Sequence, residues 1–248
     1  MKDGALSGWA VVTADQRGSR RLPDAVPVAL NALGTGGPGT VRMVLPFERT
    51  AGDEIQALTD DPSAVVAVIR ILTRIGGWRI GVGLGEVDTP LPVGTRQARG
   101  PAYVSARSAV EASRSAPGHL AVRRSGPPTD PADPVWRAES ALLVVRSLME
   151  RRTEEGWRVV DLLDAGLSNQ DAARRLGISP SAASQRATRA AHAEVRRGLR
   201  LARDLLAEAM TTAVAADVGM IAAGPATIAS TGEDASTGGD ASTGGDDT

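Results

Sequence analysis

The sequence predicts an α+β region over residues 1–124 and an all-α region over 135–218, and three observations carry that division. Up to Arg124, short apolar runs alternate with stretches of helical spacing. Pro127, Pro128, Pro131 and Pro134 then crowd residues 125–134, a composition that reads as a linker. Beyond it the apolar spacing is helical throughout. Residues 219–248 repeat Ser-Thr-Gly-Gly-Asp at Ser236 to Asp240 and Ser242 to Asp246, too polar to pack, and predict a disordered acidic tail.

Each element of the first region has its own signal. Trp9 to Ala14 is an apolar run closed by Asp15, a strand, and Pro23 to Leu33 spaces Val26, Leu30 and Leu33 on one helical face before the glycines at 34–39. Val41 to Phe47 and Ile55 to Leu58 read as strands around the Ala51-Gly52-Asp53 turn. Asp61 and Pro62 open a helix through Val65, Val66, Ile69 and Leu72, which Gly76-Gly77 ends. Trp78 to Gly85 alternates as a strand, Ala102 to Arg114 is helical, and His119 to Val122 is a last strand. The order is βαββαβαβ. Its first six elements are those of a ferredoxin-like sheet with helices on one face, strand 1 beside strand 3 and running against it. That topology would bring Asp15 and Asp53 to one edge of the sheet.

Two neighbouring carboxylates can bind Mg²⁺, which takes oxygen ligands and commonly bridges one or two carboxylates to nucleotide phosphates. Gly52 and Gly18 would let backbone N–H groups approach the same anion. The alternative is a turn acid and a strand-end acid with no shared role.

Composition narrows the classes. There is no cysteine and there are two histidines, so a metal site must use oxygen ligands. A net charge of −1 gives no global attraction to polyanions, but Arg137 to Arg203 holds 13 Arg against eight acids, a local basic module. Apolar runs fall short of the roughly 18 residues a membrane span needs, and the N-terminus lacks a signal-peptide pattern, so the expectation is a cytoplasmic protein with no membrane partner. Lys2 is the one lysine among 28 basic residues, a bias that reflects base composition more than selection at each site.

Three segments carry a resemblance. Thr13-Ala14-Asp15-Gln16-Arg17-Gly18-Ser19, Arg49-Thr50-Ala51-Gly52-Asp53 and Arg79 to Val87 occur in the order seen in class III nucleotide cyclase domains, and Ala51-Gly52-Asp53-Glu54-Ile55 resembles the Gly-Gly-Asp-Glu-Phe turn of diguanylate cyclases. With Thr95-Arg96-Gln97-Ala98-Arg99-Gly100-Pro101-Ala102 they resemble the bacterial SatD family over residues 8–125. The cyclase resemblance implies Asp15 and Asp53 as metal ligands and Arg49 at the place of the purine-recognising lysine. Arg96 and Arg99 are candidates for phosphates, or for ion pairs that pack their loop. Val104 and Ser108 stand where cyclases carry an Asn and an Arg that stabilise the transition state, so the resemblance implies binding more than turnover.

The all-α region holds the second motif. Ser168 is placed to cap a helix, Ala173 is small where two helices cross, Gly177 permits a tight turn, and Ser179 caps a second helix with Pro180 at its first position. Leu176, Ile178 and Ala183 are expected between the helices, with Ser181, Ser184, Gln185, Thr188 and Arg189 outward. Residues 159–191 resemble the helix-turn-helix of sigma-factor region 4. That resemblance implies a recognition helix from Ser179, with Ser181, Ser184 and Gln185 near base edges and Arg174, Arg175, Arg186 and Arg189 at phosphates. A packing or dimerising hairpin is the alternative. Long helices at 136–155 and 192–215 have apolar stripes that would close a bundle or form a homodimer. The combined expectation is a bacterial transcriptional regulator that binds DNA and a nucleotide or phosphorylated ligand, with Mg²⁺. The alternative is a divergent nucleotidyl cyclase or phosphotransferase with an appended DNA-binding module.

Overall fold

A computed structural model describes residues 8–34, 41–125 and 130–223, with side chains to 213. Five strands, β1 (Trp9–Gln16), β2 (Leu45–Arg49), β3 (Glu54–Thr59), β4 (Trp78–Gly85) and β5 (Leu120–Arg123), form one mixed sheet in the order β2-β3-β1-β4-β5. β1 runs antiparallel to both β3 and β4, with Asp15 opposite Glu54 on one side and Arg79 on the other. β5 is parallel to β4 and is reached through helix α3 (Pro101–Ala112), the crossover that a parallel pair requires. β2 is the edge strand. Its Pro46 and an irregular register between Leu45 and Glu48 fit that position, and its pairing starts at Leu45, not at the expected Val41.

The α+β class is as the alternation of patterns indicated, but helices cover both faces. Ala10, Val12, Ala14, Ile80, Val82 and Leu84 point to one side, where α1 (Val26–Gly34) and α2 (Pro62–Ile75) supply Ala29, Leu33, Val65, Ile69 and Leu72. The other side carries Val11 and Leu58 with Ala102 and Ala106 of α3. A helix fits there because β4 has no side chain under it. A Cβ at Gly81 would lie 2.3 Å from the Val110 backbone nitrogen, and one at Gly83 would lie 2.1 Å from that of Ala106. Helices on one face alone was the expectation, and this alternating glycine pair is what corrects it.

After the described chain resumes at Asp130 come α4 (Pro134–Glu150), α5 (Glu154–Asp164), α6 (Asn169–Leu176), α7 (Pro180–Arg189) and α8 (His192–Ala223). The single helix expected over 136–155 is two, parted at Arg151 to Thr153, where Thr153 accepts from Gly156 N and caps α5. α4 and α8 share the core of the sheet. Val135, Ala138 and Leu142 of α4, with Ala202, Leu206, Ala209 and Met210 of α8, lie in the same buried cluster as Ala10 and Leu84. The apolar stripes of these two helices therefore close within the chain, and Gly198 lets them approach where a Cβ would lie 2.4 Å from Val145 Cγ2. A third cluster of Val145, Met149, Trp157 and Val195 joins this layer to α5. Of the segment expected as a tail, residues 219–223 belong to α8, and 224–248, with both Ser-Thr-Gly-Gly-Asp repeats, lie outside the described residues, as do 126–129 of the expected linker.

Candidate functional site

The end of β1 and the β2–β3 hairpin meet. Gln16 N donates to Asp53 O at 3.2 Å, extending the β1–β3 ladder into the turn, where Gly52 takes a left-handed φ of 56°. The Gln16 side chain ties down the following loop, with Nε2 donating to Pro23 O at 2.7 Å and Oε1 accepting from Ala25 N at 2.9 Å. These contacts place Ser19 beside Asp53, and the carboxyl groups of Asp15 and Asp53 within hydrogen-bonding reach of each other.

The two acids are not equivalent. Burial, then the hydrogen bond to Asp53 and its charge, push Asp15 above the ordinary carboxylate value, against the charges of Arg79 and Arg114. Desolvation pulls Asp53 upward too, but its hydrogen bonds with Ser19 and Asp15 and the charge of Arg79 hold it below the ordinary value. Asp15 is thus the side of the pair that takes up a proton first as pH falls. Arg79 Nη1 donates to Asp15 Oδ2 at 3.3 Å, as their opposed register demands. A cavity of about 470 Å³ opens here, with Arg20, Arg21, Arg79 and Arg114 among its lining beside the two acids. Arginine and carboxylate together can take a phosphate with or without a divalent cation. Among the described residues no group of three or more His, Asp and Glu gathers at one point. A pair of acids nevertheless suits Mg²⁺ bound partly by ligand phosphates.

Arg49 lines an adjacent cavity of about 300 Å³ with Gly52 and Asp53, and its guanidinium is paired with Asp24. That pair, with the Val26 N–H bond, holds Asp24 below the ordinary carboxylate value. Arg96 and Arg99 are exposed on the loop packed against β2, where Arg96 N donates to Glu48 Oε2 at 3.4 Å, and they line neither cavity. Val104 and Ser108 are exposed on α3, and Arg107 between them pairs with Glu54 at 3.7 Å and Glu111 at 2.8 Å. Arg79 and Arg114 were not singled out from sequence. The alternation of β4 puts Arg79 on the face of Asp15, a signal readable once β4 is set against β1.

The second candidate lies in α5 to α7. Ser168 Oγ accepts from Asp171 N and Ser179 Oγ from Ala182 N, both at 3.1 Å, and Gly177 stands in the left-handed region at φ 67°. α6 and α7 are therefore capped and joined by a three-residue turn at 177–179. Ala172 and Ala173 of α6 and Ala183 and Ala187 of α7 are buried, while Leu176 and Ile178, expected between the helices, are only half-buried. Ser181, Ser184, Gln185, Thr188 and Arg189 of α7 are exposed, as are Ser179, Arg174 and Arg175, and Arg186 is half-buried. Arg174 is paired with Asp171.

The chain matches no family model and no curated protein. A solved structure of a regulator of polyketide synthase expression from Bifidobacterium adolescentis aligns with 80% of this chain and 79% of its own, at 16% identity and a TM-score of 0.24. Likeness at that level assigns neither fold nor function. Among the described residues no helix is long and apolar enough to cross a membrane.

What sequence reading missed lies where α5 meets α2. Arg70 donates to Asp164 at 2.9 Å and Asp161 at 3.3 Å, and Arg74 pairs with Asp161 and Glu154. The guanidiniums of Arg70, Arg74 and Arg152 stand 5.7, 5.4 and 4.6 Å from the Trp157 ring centre. Arg152 Nε donates to Ala190 O, the C-cap of α7, at 2.7 Å. The signal was the i, i+4 spacing of Arg70 and Arg74, the two charged residues of a largely apolar helix.

Proposed function

We propose that this chain is a bacterial DNA-binding transcriptional regulator, in which α6 and α7 are a helix-turn-helix like that of sigma-factor region 4. The observation that carries the reading is the outer face of α7, where Ser181, Ser184, Gln185, Thr188 and Arg189 stand exposed with no aliphatic side chain among them. Serines and a glutamine suit base edges, and Arg174, Arg175, Arg186 and Arg189 suit phosphates. We take β1 to β4 with α1 and α2 as a ferredoxin-like, cyclase-like core of SatD type, in support of which β1 lies antiparallel beside β3. Asp15 and Asp53 would hold Mg²⁺ together with the phosphates of a nucleotide or phosphorylated ligand, and Arg79 and Arg114 would add charge to the same anion. Arg49 serves the same ligand from the neighbouring cavity. Arg96 and Arg99 stand away from this pair and are left to loop packing.

Gel retardation of DNA from upstream of the protein's own coding region tests the reading. Arg186→Ala with Arg189→Ala should weaken retardation at least tenfold and flatten its salt dependence by roughly one unit of log–log slope for each phosphate no longer neutralised. Retardation that is absent, or unchanged in that variant, removes DNA binding. The second reading, a divergent nucleotidyl cyclase or phosphotransferase, draws on the side-by-side Asp15 and Asp53. Cyclic product or pyrophosphate from ATP or GTP with Mg²⁺, abolished in Asp53→Ala, would establish it.

A further inference from the structure

Between α2, α5 and α8 lies a cavity of about 380 Å³ whose lining includes Arg70, Arg152, Arg196, Arg200 and Arg203, with His192 and one carboxylate, Asp164, that Arg70 and His192 already share. Arg70 is paired with Asp161 and Asp164 and Arg203 with Asp204, which leaves Arg152, Arg196 and Arg200 without a carboxylate partner among the described residues, and unpaired like charges gathered at one cavity are costly unless something of the other sign enters. Arg152 makes the need specific. It is 9% exposed, and its Nη1 and Nη2 have no hydrogen-bond partner among the described residues. Its ring contact with Trp157 and its Nε bond to Ala190 O leave both terminal nitrogens unmet. Arg196 and Arg200 are exposed and take part in no ion pair among the described residues.

We propose that this cavity binds a small molecule carrying two or more linked phosphates. Arg196, Arg200 and Arg203 recur at spacings of four and three, so they line one face of α8 over about 10 Å, a longer reach than one phosphate can bridge. Planar guanidiniums approaching from α2, from the α4–α5 junction and from α8 suit bidentate recognition of several phosphoryl oxygens. Ser63 offers a hydroxyl at the same wall, and Val66, Val195 and Leu199 give an apolar surface for the organic part of the ligand. Duplex DNA fits less well, because its backbone would have to enter a concavity to meet a side chain nine-tenths buried. Burial, then the neighbouring Arg70 charge, already lowers Arg152 from its ordinary value, and an anion here would relieve both. Arg152 also links the cavity to the end of α7, so its occupant touches the element assigned to DNA.

The cavity is separate from the Asp15–Asp53 pair and its occupation does not depend on DNA binding, so the test omits both DNA and Mg²⁺. Calorimetric titration of the full chain with phosphate, pyrophosphate and ATP should give pyrophosphate or ATP at least tenfold tighter than phosphate. A further gain for ATP over pyrophosphate would show that the apolar wall is used. Arg196→Ala with Arg200→Ala, both exposed, should weaken binding at least tenfold, as should Arg152→Lys, which keeps the charge and removes the fork. Arg197→Ala, an exposed arginine of α8 outside the cavity lining, should leave binding unchanged. No binding by pyrophosphate or ATP at millimolar concentration overturns the proposal, as does equal affinity in the Arg196/Arg200 variant or an equal loss in Arg197→Ala. Loss of DNA retardation in the Arg196/Arg200 variant without any phosphate binding would assign these arginines to the DNA surface instead.

Discussion

Asp15 is the residue whose environment most clearly sets a measurable property. Its carboxyl is raised in the folded chain, so folding favours its protonated form. The associated stability is fully present below the unfolded-state value and is lost as pH rises through the folded one. Asp15→Asn keeps the neutral form at every pH. The variant should therefore melt above the wild type at neutral pH, with the difference shrinking to nothing as both are acidified below the ordinary carboxylate range. A variant that melts lower at neutral pH would mean that the Arg79 pair outweighs desolvation and the Asp53 charge. A cation at the pair competes with the same proton, so Mg²⁺ binding should strengthen as pH rises through the Asp15 value. Much at this scale was legible beforehand. Ser168, Gly177, Ser179 and Pro180 act through bonds to their own neighbours, and local spacing reveals such roles. Arg79 and Arg152 act across elements, and their partners are set by strand register and helix packing, which spacing within one segment does not contain.

At the scale of elements, the joint between α2 and α5 is the informative one. Exposed ion pairs contribute about 0–1 kcal/mol each and stacking on an aromatic ring about 0.5–2 kcal/mol, so the joint rests on several weak terms together. Arg70→Ala with Arg74→Ala should lower global stability by on the order of 1–2 kcal/mol, after allowance for their partial exposure. Hydrogen exchange locates the effect better. Amides of α5 to α7 should lose protection while those of β1 and β4 keep it, and a uniform loss would show that the joint is part of one cooperative unit. Helix positions were largely predictable because caps and prolines mark their ends. The break at Arg151 to Thr153 escaped because residues 150–156 carry no apolar side chain whose spacing would shift at a boundary, although Thr153-Glu154-Glu155 is an acceptable helix start.

Across the whole molecule, the α4 and α8 helices that sequence alone assigns to a separate module cover the sheet. Their buried stripes, Leu142 and Leu206 among them, are equally suited to a bundle, a dimer or a sheet face, and periodicity does not say which. The strand order was reachable from the βαββαβ pattern. The second helical layer was not, because the alternation of β4 puts Gly81 and Gly83 on one face without saying that a helix lies against them. With the buried stripes occupied, a homodimer has to use what remains outside, and Trp136, Val144 and Leu201 are 39, 63 and 56% exposed around an apolar groove between α4 and α8. The homodimer expected from sequence would have this groove to use. Leu201→Asp should convert a sedimenting dimer to a monomer without changing the circular dichroism. A wild-type chain that sediments as a monomer at tens of micromolar removes the dimer.

The α2–α5 joint also determines how the protein should respond to electrolyte. Arg70 and Arg74 meet Asp161, Asp164 and Glu154 at sites about a third exposed or more, so counterions reach them, and the Debye length falls from ~10 Å at 0.1 M to ~3 Å at 1 M. Raising the salt thus weakens the grip of α2 on α5 at the same time as it displaces any polyanion from α7. A salt titration of retardation would then bend away from a straight log–log line where the joint gives way. The wild type should show that bend and the Arg70/Arg74 variant should not.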